Sequence, residues 1–185
     1  MVKILRACFL LGCGRLFAAA AFAVPLPPPV KPIIPEAFGW VVVPGAAISP
    51  EATHTYKAIF SATDPAAQPD QLVPAVLMAG TELNALAASG LAPSRADFVI
   101  DFHGPGAVDA LLDNAHYQAK YHRDNPNLPV LAELKQAGVK LYVCAQMLLA
   151  TKTPFDSLTP DVTVASDGLV VLMTFQNRGY ALLPF

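Results

Sequence analysis

The sequence predicts an α/β fold, a three-layer sandwich around a mostly parallel sheet of about five strands. Short apolar runs suited to buried strands recur along residues 55–185. Apolar stripes at helical spacing separate them, and glycine or proline punctuates the joins. A helix between two successive strands implies a crossover connection, and crossovers pair strands in parallel.

Tyr56–Ser61 is the first strand, and Asp64-Pro65 breaks it. Leu72, Val73, Val76, Leu77, Leu83 and Leu86 then recur at helical spacing, with Pro74 suited to a first turn and Gly90 to a stop. Ala96–Phe102 is the second strand, and His103-Gly104-Pro105-Gly106 turns the chain. Val108, Leu111, Leu112 and Ala115 form a stripe that His116–Arg123 continues as one helix, ended by Asn125-Pro126-Asn127. Val130, Leu131 and Leu134 give the next stripe, capped by Gly138. Val139–Cys144 is the third strand. Ala145–Leu149 begins a short helix, and Val162–Val164 is a short strand. Residues 168–176 are expected to be helical despite Val170, Val171 and Thr174, because the strand–helix rhythm precedes them. Tyr180–Leu183 supplies the last strand.

Ahead of this domain, residues 1–23 read as a secretory signal peptide. Lys3 and Arg6 precede an apolar stretch from Leu10 to Ala20, interrupted by Arg15, and Ala21-Phe22-Ala23 fits cleavage after Ala23. The alternative, an uncleaved anchor, has only a short and broken apolar stretch to span with. Leu10-Leu11-Gly12-Cys13 offers a lipoprotein hook with an unusually early cleavage. Removing 23 of 185 residues leaves 162, enough for one domain with a sizeable core. It also removes three of the 12 basic residues, leaving nine against 14 acidic ones and a net charge of −5. That balance gives no reason to expect nucleic acid or an anionic membrane surface as partner, and no stable membrane span is expected after cleavage. Residues 24–54 form a proline-rich arm, exposed over 24–36. Phe38, Trp40, Val41, Val42 and Val43 either dock as a strand or against a neighbouring subunit, or serve as a linker.

Cleavage removes Cys8 and Cys13 and leaves Cys144 as the one thiol. No CxxC pair, c-type haem motif or cysteine-rich zinc site remains, and no cofactor or metal is expected. His54, His116 and His122 follow no metal-ligand pattern. There is no GxGxxG, no phosphate loop and no GxSxG elbow, which removes the commonest nucleotide and serine-hydrolase signatures. Cys144 falls at the C-terminal end of a strand with a helix just after it. In α/β sheets that edge is where ligands bind, and a helix N-terminus favours the thiolate. Cys144 therefore either handles sulfur or an electrophile, or fills space as a small hydrophobe. His103 falls at a second strand end and is a candidate for a charge, hydrogen bond or base near the thiol. Gly104 and Gly106 allow close approach of substrate or simply shape the turn. Tyr142 shares strand parity with Cys144, and Gln146 and Met147 are its first-turn neighbours, so all three are candidates to line a pocket. Asp97 and Asp101 share parity four residues apart, so they either form a carboxylate pair or leave Asp101 near an exposed strand end.

The order of these segments carries a resemblance. It runs through Tyr56–Ser61, Phe102-His103-Gly104-Pro105-Gly106, Asn114-Ala115-His116-Tyr117, Leu134–Cys144, Pro160–Val164 with Gly168, and Gly179-Tyr180-Ala181. Over roughly residues 55–185 the chain resembles the DsrE/DsrF-like family, in a periplasmic, single-cysteine form. The resemblance implies a small α/β subunit that assembles into a homotrimer or homohexamer. It also implies a sulfur-relay role in which the cysteine matching Cys144 carries a persulfide and exchanges it with a donor or acceptor protein. The family's histidine-glycine loop matches His103 and Gly104. The chain departs after the cysteine, where Ala145-Gln146-Met147-Leu148 stands in place of an Asn-Thr-Leu-like segment and Met147 replaces a hydroxyl. The expectation is a periplasmic or secreted protein that binds or relays sulfane sulfur. The alternative is an oligomeric interaction module with an inert cysteine.

Overall fold

The computed structural model describes residues 27–185. The expected signal peptide and cleavage site, with Cys8 and Cys13, lie outside the described residues.

Five strands and five α-helices alternate along the chain. They are β1 (Tyr56–Ala62), α1 (Pro74–Ala88), β2 (Ala96–Phe102), α2 (Asn114–Tyr121), α3 (Asn127–Gln136), β3 (Lys140–Cys144), α4 (Ala145–Thr151), β4 (Thr163–Ala165), α5 (Gly168–Gln176) and β5 (Ala181–Pro184). The strands form one sheet in the order β4-β3-β2-β1-β5, and every neighbouring pair is parallel. This is the expected α/β fold, with a five-stranded sheet between layers of helix.

The order explains the layers. From β1 to β4 the chain steps one way along the sheet, then returns past β1 to place β5. Right-handed crossovers keep helices on one face while the direction holds and change face when it reverses. Ala58, Phe60, Phe98, Ile100, Leu141 and Val143 accordingly join α1 and α3 in the larger core. The alternate residues Ile59, Val99 and Tyr142 meet Val171, Leu172 and Phe175 of α5 on the other face.

The local signals largely act as expected. Pro74 opens α1, and Gly90 and Gly138, with φ of 88° and 97°, end α1 and α3 in the left-handed region. Asp167 caps α5, its Oδ1 accepting a hydrogen bond from the Leu169 amide at 2.8 Å, so the β-branched content of this helix is overridden by its cap and its packing. β4 and β5 each lie one residue later than expected.

Two expectations fail. Residues 108–123 are not one helix: Ala107–Leu111 is a 3-10 segment, Leu112 turns extended, and α2 starts afresh at Asn114. Asp113 caps the new start by accepting from the His116 amide at 2.8 Å. Asn125 holds the break, its amide donating to the Ala110 carbonyl at 3.0 Å and the Leu112 carbonyl at 2.7 Å. The proline-rich segment is also not exposed throughout residues 24–36. Ile34 and Ala37 are fully buried against α1, where a Cβ on Gly80 would come within 2.9 Å of Ala37 Cβ. The buried Asn84 side chain accepts from the Ile33 and Ile34 amides and donates to the Ile34 and Phe38 carbonyls. Phe38, Val42, Val43 and Ile48 stay exposed.

Candidate functional site

Four strand ends meet near the N-terminus of α5. Strand alternation sends Ser61, Asp101 and Cys144 to the α5 face, together with Tyr142. Phe102 of β2 is in register with Val143 of β3, so the next pair along the two chains is His103 and Cys144.

Cys144 closes β3, pairs with Ala165 of β4 and flanks the start of α4. It is the one free cysteine among the described residues and is 6% exposed. No hydrogen bond joins its thiol to His103 among the described residues. Tyr142 packs its ring 5.8 Å from Phe175, so it serves the smaller core beneath α5. Gln146 is exposed and donates to the Ser166 carbonyl at 3.3 Å, tying α4 to the β4–α5 turn. Met147 packs against the larger core, toward the opposite face of the sheet.

His103 is held from three sides. Its amide donates to the Ala62 carbonyl at 3.1 Å, and its Nε2 shares a 2.8 Å hydrogen bond with Ser61 Oγ. A Cβ on Gly168 would stand 2.6 Å from His103 Cβ, so only glycine lets α5 begin this close to the imidazole. Burial holds the imidazole below its ordinary value of 6.5, against the opposing charge of Asp167, so His103 is neutral at pH 7. Gly104 and Gly106 serve close packing: a Cβ on Gly104 would fall 2.0 Å from the Thr63 carbonyl oxygen, and one on Gly106 2.5 Å from Pro65 Cβ. The flank of each glycine is therefore occupied by the segment after β1.

Asp101 is the most unusual group in the fold. Its side chain is fully buried, and neither carboxyl oxygen has a hydrogen-bond partner among the described residues. Burial, reinforced by the charge of Asp167, pushes its carboxyl up to about 7. Its Oδ2 lies 4.0 Å from His103 Nε2. An unpaired buried carboxylate is costly, so this site favours the neutral acid. Ser61, His103 and Asp101 have the composition of a catalytic triad without its geometry. Asp101 approaches the same nitrogen that bonds Ser61, whereas a triad needs the acid on the other ring nitrogen.

Sequence reasoning singled out Cys144 and His103 as candidates but did not place Ser61, Asp167 and Gly168 around them. It placed Asp101 in a carboxylate pair or near solvent, whereas the structure buries it completely. Asp97 does not join it; at the other end of β2 it takes hydrogen bonds from Lys140 and Tyr180. The strand parity of Ser61 and Asp101, and the Ser166-Asp167-Gly168 cap, were the available signals. The remaining histidines are dispersed: His54 lies edge-on to Tyr56, His116 pairs with Asp113, and His122 ends α2. No cluster of three metal-ligating side chains occurs among the described residues, and none of their helices is long and apolar enough to cross a membrane.

Comparison with known proteins gives two findings. A solved structure titled as a protein of unknown function, MTH1491 from Methanobacterium thermoautotrophicum, is 19% identical, with a TM-score of 0.50. The match covers 70% of this chain and 99% of that one and shows likeness of fold alone. No curated protein matches. The family model for the DsrE/DsrF-like family matches residues 57–185, a span that starts one residue into β1 and takes in the other four strands and the Cys144–His103 edge. The chain belongs to the DsrE/DsrF-like family.

Proposed function

We propose that this protein binds or relays sulfane sulfur as a persulfide on Cys144. The observation that carries the reading is the placement of Cys144 at the C-terminal edge of a parallel sheet, next in register to the neutral imidazole of His103. A neutral imidazole is the form able to accept the thiol proton, and only the thiolate attacks efficiently. The Cys144 thiolate attacks the outer sulfur of a donor persulfide. A new S–S bond forms, the donor's S–S bond breaks, and the donor leaves as a thiolate with the electron pair. An acceptor thiolate then takes the same outer sulfur and releases Cys144 as a thiolate. With a single cysteine, the resolving thiol belongs to another molecule.

In this reading Ser61 and Gly168 hold His103, while Gly104, Gly106, Tyr142, Gln146 and Met147 shape the surroundings of the sulfur. The protein loses residues 1–23 on export and acts in the periplasm or outside the cell. Residues 24–54 precede the DsrE-like domain of residues 55–185. It acts as a homotrimer or homohexamer with a donor or acceptor protein.

A second reading is an oligomeric interaction module with an inert cysteine. The near-complete burial of Cys144 and the exposure of Leu169, Val170 and Met173 along α5 favour it.

Intact mass separates the two. Reduced mature protein is incubated with polysulfide beside the Cys144→Ser variant. A gain of one sulfur mass, reversed by reductant and absent from the variant, is the expected result. No gain, under conditions that modify an accessible thiol control, overturns the carrier reading and leaves the interaction module.

A further inference from the structure

A groove lies at the other end of the sheet from Cys144. Its volume is about 590 Å³, and its walls include Ala58, Leu86, Phe98 and Leu183, with His54 and Glu82 at the polar side. Volumes of about 300–1,000 Å³ with apolar walls and few polar groups are typical of small-molecule sites.

The topology leaves this space open. β5 reaches its place through α5, which lies on the opposite face, while α1 stands over β1 and β2. Among the described residues no helix therefore covers β5 on the α1 face, and the groove follows that gap. Ala181 is in register with Ala58, so its Cβ points into the groove.

The charge in the groove is one-sided. Glu82 is half-buried on the wall formed by α1, and no ion pair or side-chain hydrogen bond holds it among the described residues. Burial pushes its carboxyl up, which is the signature of a charge short of both water and partner. Lys57 lines the groove through other atoms, because its ammonium lies 5.6 Å from the centre of the Tyr180 ring. Arg95 does not line the groove; its guanidinium is held beside it, donating to the Thr53 carbonyl at 3.0 Å and to Oγ1 of the lining residue Thr55 at 3.4 Å. The His54 ring packs on Tyr56 with 4.7 Å between centroids. A ligand that suits these walls has an apolar body and one cationic donor for Glu82.

We propose that the groove between α1 and the β1–β5 edge binds a small molecule with an apolar body and a protonated amine, with Glu82 as its counter-ion. This site is separate from Cys144 and does not depend on persulfide chemistry.

The test uses 2-phenylethylamine and its neutral counterpart 2-phenylethanol, titrated into the full mature chain at pH 8 and followed by amide chemical shifts. Saturable shifts at Leu86 and Ala181 with the amine, and affinity at least about tenfold weaker for the alcohol, are expected, since a charge-assisted hydrogen bond is worth about that factor. Glu82→Gln should remove the preference for the amine. Ala181→Phe, which fills the groove from its exposed edge, should abolish binding of both probes while leaving Glu82 in place. Absence of saturable binding to the wild-type chain overturns the proposal. Equal affinity for amine and alcohol, or unchanged binding in both variants, overturns it as well.

Discussion

Replacing Asp101 with asparagine removes one titrating proton from the interior while keeping the side-chain shape. The unfolded chain releases that proton near 3.8, whereas burial and Asp167 hold it to about 7 in the folded chain. The stability linked to this group is therefore fully present below 3.8, declines as pH rises from 3.8 through 7, and stays lost above that. Each tenfold step between the two values is worth about 1.4 kcal/mol, so the full loss is about 4 kcal/mol. Between pH 5 and pH 8 the linkage relation gives a loss of about 2–3 kcal/mol in the wild type and none from this position in Asp101→Asn. His103 titrates beside it with the opposite sign: its folded value lies below 6.5, so its contribution is present above 6.5 and falls as pH drops. Burial and Asp167, which set the direction of that shift, act in both proteins, so the difference between their stability curves reports chiefly on Asp101. Urea unfolding at pH 5, 6, 7 and 8 measures the difference. The asparagine amide brings its own unpaired donors, which shift the whole curve without tilting it. The variant should gain on the wild type by about 2–3 kcal/mol across the series. Curves that stay parallel to within about 0.5 kcal/mol would refute the claim that a neutral, buried acid sits at this strand end.

Two further outcomes test the packing around the candidate sites. Gly104→Ala places a methyl 2.0 Å from the Thr63 carbonyl oxygen and 2.4 Å from Thr63 Cα, both backbone atoms that cannot step aside cheaply. It should cost about 3 kcal/mol in urea unfolding, and wild-type stability would remove close packing as the reason for this glycine. Asn84→Ala strips four hydrogen bonds from residues 33–38, and a loss of about 2–3 kcal/mol is expected. Hydrogen exchange should accelerate at the Ile33 and Ile34 amides while β1 stays protected; uniform acceleration would show that the segment unfolds only with the domain.

The sheet was legible because each strand is a compact apolar run between punctuating residues, as at Ala96–Phe102, where the expected and observed bounds coincide. What escaped was long-range. The break at Leu112 depends on Asn125 reaching back to two carbonyls, and no local property of residues 108–123 announces it. Ile34 reads as part of a polyproline arm until Gly80 and Asn84, some fifty positions later, supply a smooth surface and a set of backbone partners. The same limit applied at the candidate site. Cys144 and His103 were visible as strand-end residues, but the burial of Asp101 depends on α5 packing over it, through a glycine whose need arises from close approach to His103 and to Asp101 itself.

Both candidate sites trace to one topological event, the reversal of chain direction between β4 and β5. If β5 had extended the sheet beyond β4, a right-handed crossover would have put α5 on the same face as α1. Ser61, Asp101 and His103 would then stand on an open face, and water would solvate the acid that is now buried and unpaired. Because the chain reverses, α5 is the one helix among the described residues that covers that face, and its N-terminus packs against the strand ends beside Cys144. The same reversal carries β5 to an edge that α1 does not cover, which opens the groove beside Glu82. The two features differ in their dependence on α5. Asp101 owes its raised proton affinity to being covered by that helix, so any change that lifts α5 should return the carboxyl toward its ordinary range. Glu82 sits on α1 on the opposite face, where α5 does not cover it.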